Sequence, residues 1–305
     1  MAATMNVVGP RRSFLVPEVG AETLVDKPWG GPRLGPLRGG PDFAGRTIGE
    51  SWEFSTLPHK ESRVGGSPLG EVVGGPLPWL AKLLETTAAL SLQVHPRDAP
   101  DRPGKEEAWV VLEADPGAFV WAGIRADVSR ETFEAHVRAA SSDPAQGEVL
   151  MNDMNRIPVA AGTCILVPAG TTHALGPGVL LAEIQQPTDC TYRFHDFGRP
   201  RPLQVDEALA AYVPGSQPRM WTPTSEGPPE LEGEHVRLDM VRAGQFVNRR
   251  VPREPVLIVP VQGTVTTTDA DGVSANLGPG ELRLWVGRGT VNTGADGLAV
   301  LGTVR

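Results

Sequence analysis

Turn-forming residues punctuate this chain too often for long helices to run: 36 glycines and 30 prolines fall among its 305 residues. At that density Gly and Pro predict many tight turns joining short elements. Between the turns, apolar and polar residues alternate in short runs, the pattern of strands with one buried face. Strands are expected at Ile48–Phe54, through Leu77–Pro96, from Ala108 to Trp121, at Ile157–Pro168 and at Val179–Phe197. Further short strands are expected from His235 to Arg305, with Asp271-Gly272 as a hairpin turn. Helices are few. The clearest is Ser129–Ala139, where Ser129 suits the N-cap and Glu131 and Glu134 the first turns; Asp206–Tyr212 and Pro68–Val73 are shorter. Together these features predict an all-β fold with a few short helices, of the jelly-roll or barrel kind.

The length allows one large β unit or two domains, and a Pro/Gly/Ser-rich link at Val213–Glu230 favours two modules, 1–200 and 201–305. With 40% hydrophobic and 21% charged residues the chain has the balance of a soluble globular protein. A net charge of −8 without any basic run excludes a nucleic-acid footprint, and no apolar stretch is long enough to span a membrane. An anionic ligand would need a local cluster of cations working against that overall charge. Lysine is scarce: only Lys27, Lys60, Lys82 and Lys105 occur. Lys82 lies inside the apolar run Trp79–Leu84, costly unless paired, although a lysine can also snorkel to water. Cys164 and Cys190 have neither zinc-finger nor redox spacing and read as two apolar thiols of a reducing compartment. Arg11-Arg12-Ser13-Phe14-Leu15 has the look of a twin-arginine export signal but lacks its apolar run, so a cytoplasmic location is expected.

Four segments gather polar residues on strand faces. In Leu90–His95, strict alternation puts Ser91, Gln93 and His95 on one side. Lys105, Glu107 and Trp109 share a face by the same rule, as do Glu183 and Gln185. Thr191, Arg193 and His195 form another such row, opposite Tyr192 and Phe194, while His173 sits in a tight turn between apolar strands. Each pattern alone also suits a half-buried strand whose polar face meets water. Periodicity does not separate that from a pair of metal ligands. His59, His136, His195 and His235 carry no assigned role, and the C-terminal module reads as structural.

Taken in order, SLQVHP, GKEEAW, VPAGTTHALG and LLAEIQQPTDCTYRFHDFGR resemble class I mannose-6-phosphate isomerases, with KPWGG at Lys27–Gly31 and IGESWEFS at Ile48–Ser55 as further matching pieces. The likeness covers roughly residues 20–200, and the C-terminal hundred residues only by architecture. It implies a bicupin of two jelly-roll β-barrel modules, the first catalytic and metal-binding, the second structural. It implies interconversion of mannose 6-phosphate and fructose 6-phosphate through a metal-stabilised enediolate, with a small phosphorylated sugar as partner and one divalent metal, zinc before others. Gln93, His95, Glu107 and His173 would be the metal ligands, a mixed N/O set suited to zinc and tolerant of manganese, cobalt or iron. Arg193, Glu183 and Lys105 would line the reaction centre, and Ser91, Lys82 and Arg199 the substrate pocket. Three departures stand out. The segment from His95 to Lys105 is shorter than in most relatives, Gly104 stands where some carry a histidine, and the large helical insertion of the longest members is missing. The alternatives are an isomerase or epimerase of another phosphorylated sugar, a sugar-phosphate sensor, and an iron oxygenase using His95, Glu107 and His173.

Overall fold

The computed structural model describes residues 13–40, 43, 45–227, 229–249 and 255–304; Arg11 and Arg12 lie outside them. Within the described residues the strands form five antiparallel sheets, and none closes into a barrel. The expected β fold is present, but as paired open sheets.

A seven-stranded sheet is the centre of the molecule, in the order Arg219–Trp221, Cys164–Val167, Glu107–Ala114, Val179–Gln185, Leu80–Thr86, Ile48–Phe54 and Leu24–Gly31. A five-stranded sheet faces it: Met154–Pro158, Phe119–Ile124, His173–Leu175, Leu92–Val94 and Tyr192–His195. Leu84, Trp109, Val111 and Leu181 of the larger sheet pack there against Val120 and Leu175 of the smaller. On its other face, Leu83, Val110, Ala182 and Ile184 meet Leu238, Leu257, Leu284 and Val300 of a six-stranded C-terminal sheet. That sheet in turn packs Ile258, Trp285 and Leu301 against Val265 and Val291 of a four-stranded one. Because the central sheet is covered on both sides, Leu80–Thr86 is buried along its whole length and its run Leu-Ala-Lys-Leu-Leu lacks clean alternation.

Three helices cover the outer face of the five-stranded sheet, while Leu34–Gly39 and Leu69–Val73 pack with the central sheet's core. Arg130–Ser142 begins where Ser129 Oγ accepts the Thr132 N–H at 3.2 Å, as a capping serine should. Its Phe133 and Val137, with Leu150 of Gly147–Asn152 and Leu209 of Val205–Ala211, rest on Leu92, Val94 and Phe194. Leu92 and Val94 therefore point outward to the helices, and Ser91, Gln93 and His95 inward between the sheets. The Asp271-Gly272 turn joins Val265–Asp269 to Ser274–Leu277 with Gly272 at φ +80°, a left-handed position that suits glycine.

Two segments cross between the halves. Phe14–Leu15 pairs with Arg283–Trp285 in the C-terminal sheet. Arg219–Trp221, inside the expected link, returns to pair with Cys164–Leu166 in the central sheet. A third tie is electrostatic. Glu106, 3% exposed, accepts the backbone N–H groups of Glu234, His235 and Val236 at 3.1, 2.9 and 2.7 Å. Three charge-assisted bonds in a buried place make this carboxylate a strong joint. Glu106→Ala should lower the unfolding free energy by about 3 kcal/mol, since the freed N–H groups lose a charged acceptor. Glu106→Gln, which keeps an amide oxygen, should cost less. Urea unfolding tests both, and an alanine variant within about 1 kcal/mol of the parent would contradict the joint.

Candidate functional site

The inward-facing polar rows of the two sheets meet. His95, Glu107 and His173 are each 1% exposed, and one ligand atom from each lies within 4.8 Å of the others. Glu107 Oε2 is 3.2 Å from His95 Nε2, and its Oε1 is 3.3 Å from His173 Nε2. Lys105 Nζ donates to Glu107 Oε2 at 2.6 Å and reaches His95 Nε2 at 3.0 Å. Gln93 Nε2 stands 3.2 Å from His173 Nε2, and its Oε1 accepts the Ser91 hydroxyl at 3.1 Å.

Both imidazoles are held from behind. His95 Nδ1 faces the Cys190 carbonyl at 3.0 Å and His173 Nδ1 the Thr171 carbonyl at 2.8 Å. Each therefore carries its proton on Nδ1 and turns the Nε2 lone pair to the centre. Burial, then Lys105, pushes the His95 pKa down to about 3, and burial also lowers that of His173. Burial alone would raise Glu107, but Lys105 and the two histidines hold it well below the ordinary carboxylate range. Two neutral imidazole lone pairs and an ionised carboxylate thus converge on one point, an arrangement a divalent cation reconciles. His95, Glu107 and His173 could hold a metal ion. Rotated about its last torsion, the Gln93 amide would present oxygen where its nitrogen now lies, as a fourth ligand.

Around this centre is a cavity lined by Lys27, Lys82, Lys105, Arg193 and Arg201 against Glu50, Glu107 and Glu183. Five cations face three carboxylates, a local positive excess in a chain of net charge −8. Three of the four lysines of the sequence line this one cavity. Lys82 Nζ lies over the Trp52 ring at 4.3 Å and 3.9 Å from Glu183 Oε1. Burial and the nearby Glu107 push Glu183 above its ordinary value, against Lys105 and Lys82, and Trp109 Nε1 donates to it at 3.3 Å. Burial would lower Lys105, but Glu107 and Glu183 outweigh it and raise its pKa. Arg193 lines the cavity, and its buried Nε–H has no protein partner.

The sequence likeness finds its counterpart in a comparison of chains. Over 210 residues, 60% of this chain, it is 34% identical to mannose-6-phosphate isomerase of Streptococcus mutans. The match spans 63% of that relative's length. The crystal structure of mannose 6-phosphate isomerase from Bacillus subtilis superposes with a TM-score of 0.74 at 22% identity, covering 95% of this chain and 99% of that one. The chain is similar in sequence to mannose-6-phosphate isomerases and shares their fold. A mannose 6-phosphate isomerase bound with zinc and yttrium has the same fold, with a TM-score of 0.66 at 17% identity over 96% of this chain and 100% of that one. No family model matches the chain.

Of the residues singled out from sequence, Ser91, Gln93, Lys82, Lys105, Glu107, His173, Glu183 and Arg193 all line the cavity, and His95 joins them through Glu107. Arg199 does not. Its Nε–H and one Nη2–H go to the carbonyls of Asp196 and Ala89, with Phe197 beneath it, while Nη1 is buried without a protein partner. Arg201, gripped by both Asp196 oxygens at 2.6 Å, takes the cavity wall instead. The expected row Thr191–Arg193–His195 is broken, because the pairing with Leu92–Val94 shifts register between Arg193 and His195. A bulge turns alternate residues to the other face, and His195 accordingly sits against Gly147 on the helix side. Lys27 and Glu50 were not singled out. The scarcity of lysine was a signal for the first; Glu50, two before Trp52 in the matching string, had only position to recommend it.

Glu50 offers a test in pH. Burial opposes its ionisation, but Lys82 and Lys27, with the Trp52 N–H, bring its pKa from 4.5 down to about 2. A depressed folded-state value gives stability that is fully present above about 4.5 and lost as pH falls toward about 2. Glu50→Gln should be less stable than the parent at pH 7 by up to about 3 kcal/mol, and the gap should close by pH 2–3. Urea unfolding across that range checks it, and a constant gap would show that the carboxylate charge is not what stabilises.

Proposed function

We propose that this chain is an aldose–ketose isomerase that interconverts mannose 6-phosphate and fructose 6-phosphate. One observation carries the reading. A convergent His/Glu/His donor set lies in a cavity with a surplus of cations and a carboxyl group poised to hold a proton. An oxygenase using the same three donors has no need of those cations, so the oxygen-dependent reading is the weaker.

The reaction moves a proton from C2 of the aldose to C1, and the oxygens exchange the complementary proton. A divalent metal, zinc by the donor chemistry, would supply Lewis-acid polarisation of the sugar carbonyl. Gln93, His95, Glu107 and His173 would hold it, with the Ser91 hydroxyl fixing the Gln93 amide. Glu183 carries the proton between carbons. Its raised pKa brings a carboxyl toward the range in which it both takes and returns one. Lys105, kept charged by Glu107 and Glu183, serves as a donor that orients a substrate oxygen and not as a base. Arg193 supplies its unpartnered Nε–H to an oxygen that gains charge in the enediolate. For the phosphate we infer Lys82 with Lys27 and Arg201, while Arg199 shapes the turn that carries Arg201. The catalytic parts belong to residues 1–200, read as one cupin module of two facing sheets, and 201–305 as a second, structural one. The free thiols Cys164 and Cys190 suit a reducing compartment, the cytoplasm.

Purified protein should convert mannose 6-phosphate to fructose 6-phosphate in a coupled assay, lose activity on chelation and regain it with zinc, cobalt or manganese. Full turnover by verified metal-free protein would remove the metal from the reading. A substrate panel separates mannose 6-phosphate from other phosphorylated sugars, which the shortened 96–104 segment at the pocket edge keeps in view.

Arg193→Ala should lower kcat by roughly 10²–10³, the effect of losing one donor to a developing oxyanion. Metal content should be unchanged, because no ligand is touched. Arg193→Lys should recover only part, since a point charge does not reproduce the planar fork. A near-normal kcat in the alanine variant would return the enediolate role to Lys105.

A further inference from the structure

Lys105 is carried by irregular backbone, ahead of the strand that begins at Glu107. Its ammonium nevertheless has to meet Glu107 and His95 at 2.6 and 3.0 Å. A segment without a ladder is held by whatever its backbone groups bond to. Here each neighbour of Lys105 is tied separately. Gly104 N donates to Asp98 Oδ1 at 2.6 Å, Lys105 N to the Pro96 carbonyl at 3.0 Å, and Glu106 N to Gln186 Oε1 at 2.8 Å. Gln186 Nε2 returns to Asp98 Oδ1 at 3.1 Å, which closes a ring around the lysine.

Asp98 is the hub of that ring, and its second oxygen leaves the catalytic half. Asp98 Oδ2 lies 2.6 Å from Nε2 of His235. His235 is the middle residue of the three whose backbone N–H groups bind Glu106. The C-terminal sheets thus grip the lysine segment at both ends, at Asp98 through a side chain and at Glu106 through backbone.

The short loop makes the grip necessary. A side chain at position 104 would meet the Asp98 nitrogen at 2.5 Å and the Arg97 carbonyl carbon at 2.7 Å. The loop backbone fills the space a bulkier residue would use.

We propose that His235 and Asp98 are positioning residues, through which the C-terminal module sets Lys105 over Glu107 and His95. The kinetic arm of the test rests on the isomerase reading; the structural arm does not. His235, with a quarter of its side chain exposed, can be replaced without opening a core. His235→Ala should speed amide hydrogen exchange across residues 97–104 by about tenfold, and kcat for mannose 6-phosphate should fall by about tenfold, with KM within twofold and metal content unchanged. Asp98→Ala should do the same or more, and the double variant should be no worse than Asp98→Ala alone, because the two act through one contact. Val291→Ala, in the distant core of the last two sheets, is the control for loss of stability alone. It should lower the thermal midpoint and leave kcat and loop exchange at parent values. Unchanged exchange in 97–104 in both His235→Ala and Asp98→Ala would overturn the proposal, as would an equal loss of kcat in Val291→Ala. If the parent protein fails to turn over mannose 6-phosphate, the isomerase reading falls and the exchange measurement alone decides this one.

Discussion

A carboxylate in the middle of a protein stays ionised only where something replaces the water it has lost. For Glu107 that replacement is Lys105, 2.6 Å away and almost as deeply buried. Much of the site depends on this pair. With Glu107 charged, two neutral imidazoles beside it become a place for a cation. With Lys105 charged, the next carboxyl group, Glu183, feels a positive neighbour on one side and Glu107 on the other, and the balance with burial leaves it above its ordinary pKa. Three carboxylates of one type, Glu50, Glu107 and Glu183, line a single cavity; cationic neighbours overcome burial and pull Glu50 and Glu107 down, whereas burial with Glu107 beside it leaves Glu183 up. Such divergence among like groups lets one cavity hold carboxyl groups suited to different tasks.

The central sheet explains why such a costly arrangement can be built at all. One of its faces packs on the C-terminal sheet through Leu83, Val110, Ala182 and Ile184. Along the same strands, side chains of the other parity point to the five-stranded sheet: Leu84 and Lys82, Trp109 and Glu107, Leu181 and Glu183. Each strand is apolar toward one end of this inner face and charged toward the other. The apolar end closes the space between the sheets, and the charged end is held rigid by the ladder on either side. Glu183 pairs across to Lys82 on one side and to Trp109 on the other, so three residues of the cavity wall are fixed by register alone.

This division decides what could be read from the sequence. Strands with one mixed and one apolar face keep their period, and Ser91, Gln93 and His95 were legible as an inward row from alternation. Alternation identified the rows but not their meeting, since nothing in a period of two says which rows face each other. The resemblance of the motifs carried that step. Where backbone departs from the ladder, the period misleads: the bulge after Arg193 carries His195 to the helix side. Arg199 and Arg201 lie in a turn beyond the last strand, where no period exists and only Asp196 decides which guanidinium reaches the cavity. Lysine scarcity was the signal left unused. In a chain that otherwise employs arginine, Lys27, Lys82 and Lys105 come together on one cavity.

Among the described residues, the strands from Glu230 onward line no part of the cavity, and that stretch read as structural because its sequence gathers no polar residues on a strand face. Its geometry gives that word more content. Burial of the apolar face of the central sheet needs a partner as broad as the sheet itself, and the six-stranded sheet is that partner. Without it, the face opposite the charged cavity would be wet, and the strands carrying Lys82, Glu107 and Glu183 would lose the packing that fixes their register. The joint at Glu106 adds a point contact to this area contact, one residue from Lys105 and one from Glu107. Strands that line no part of the cavity thus support the sheet that carries it, through an apolar face on one side and a single buried carboxylate at its edge.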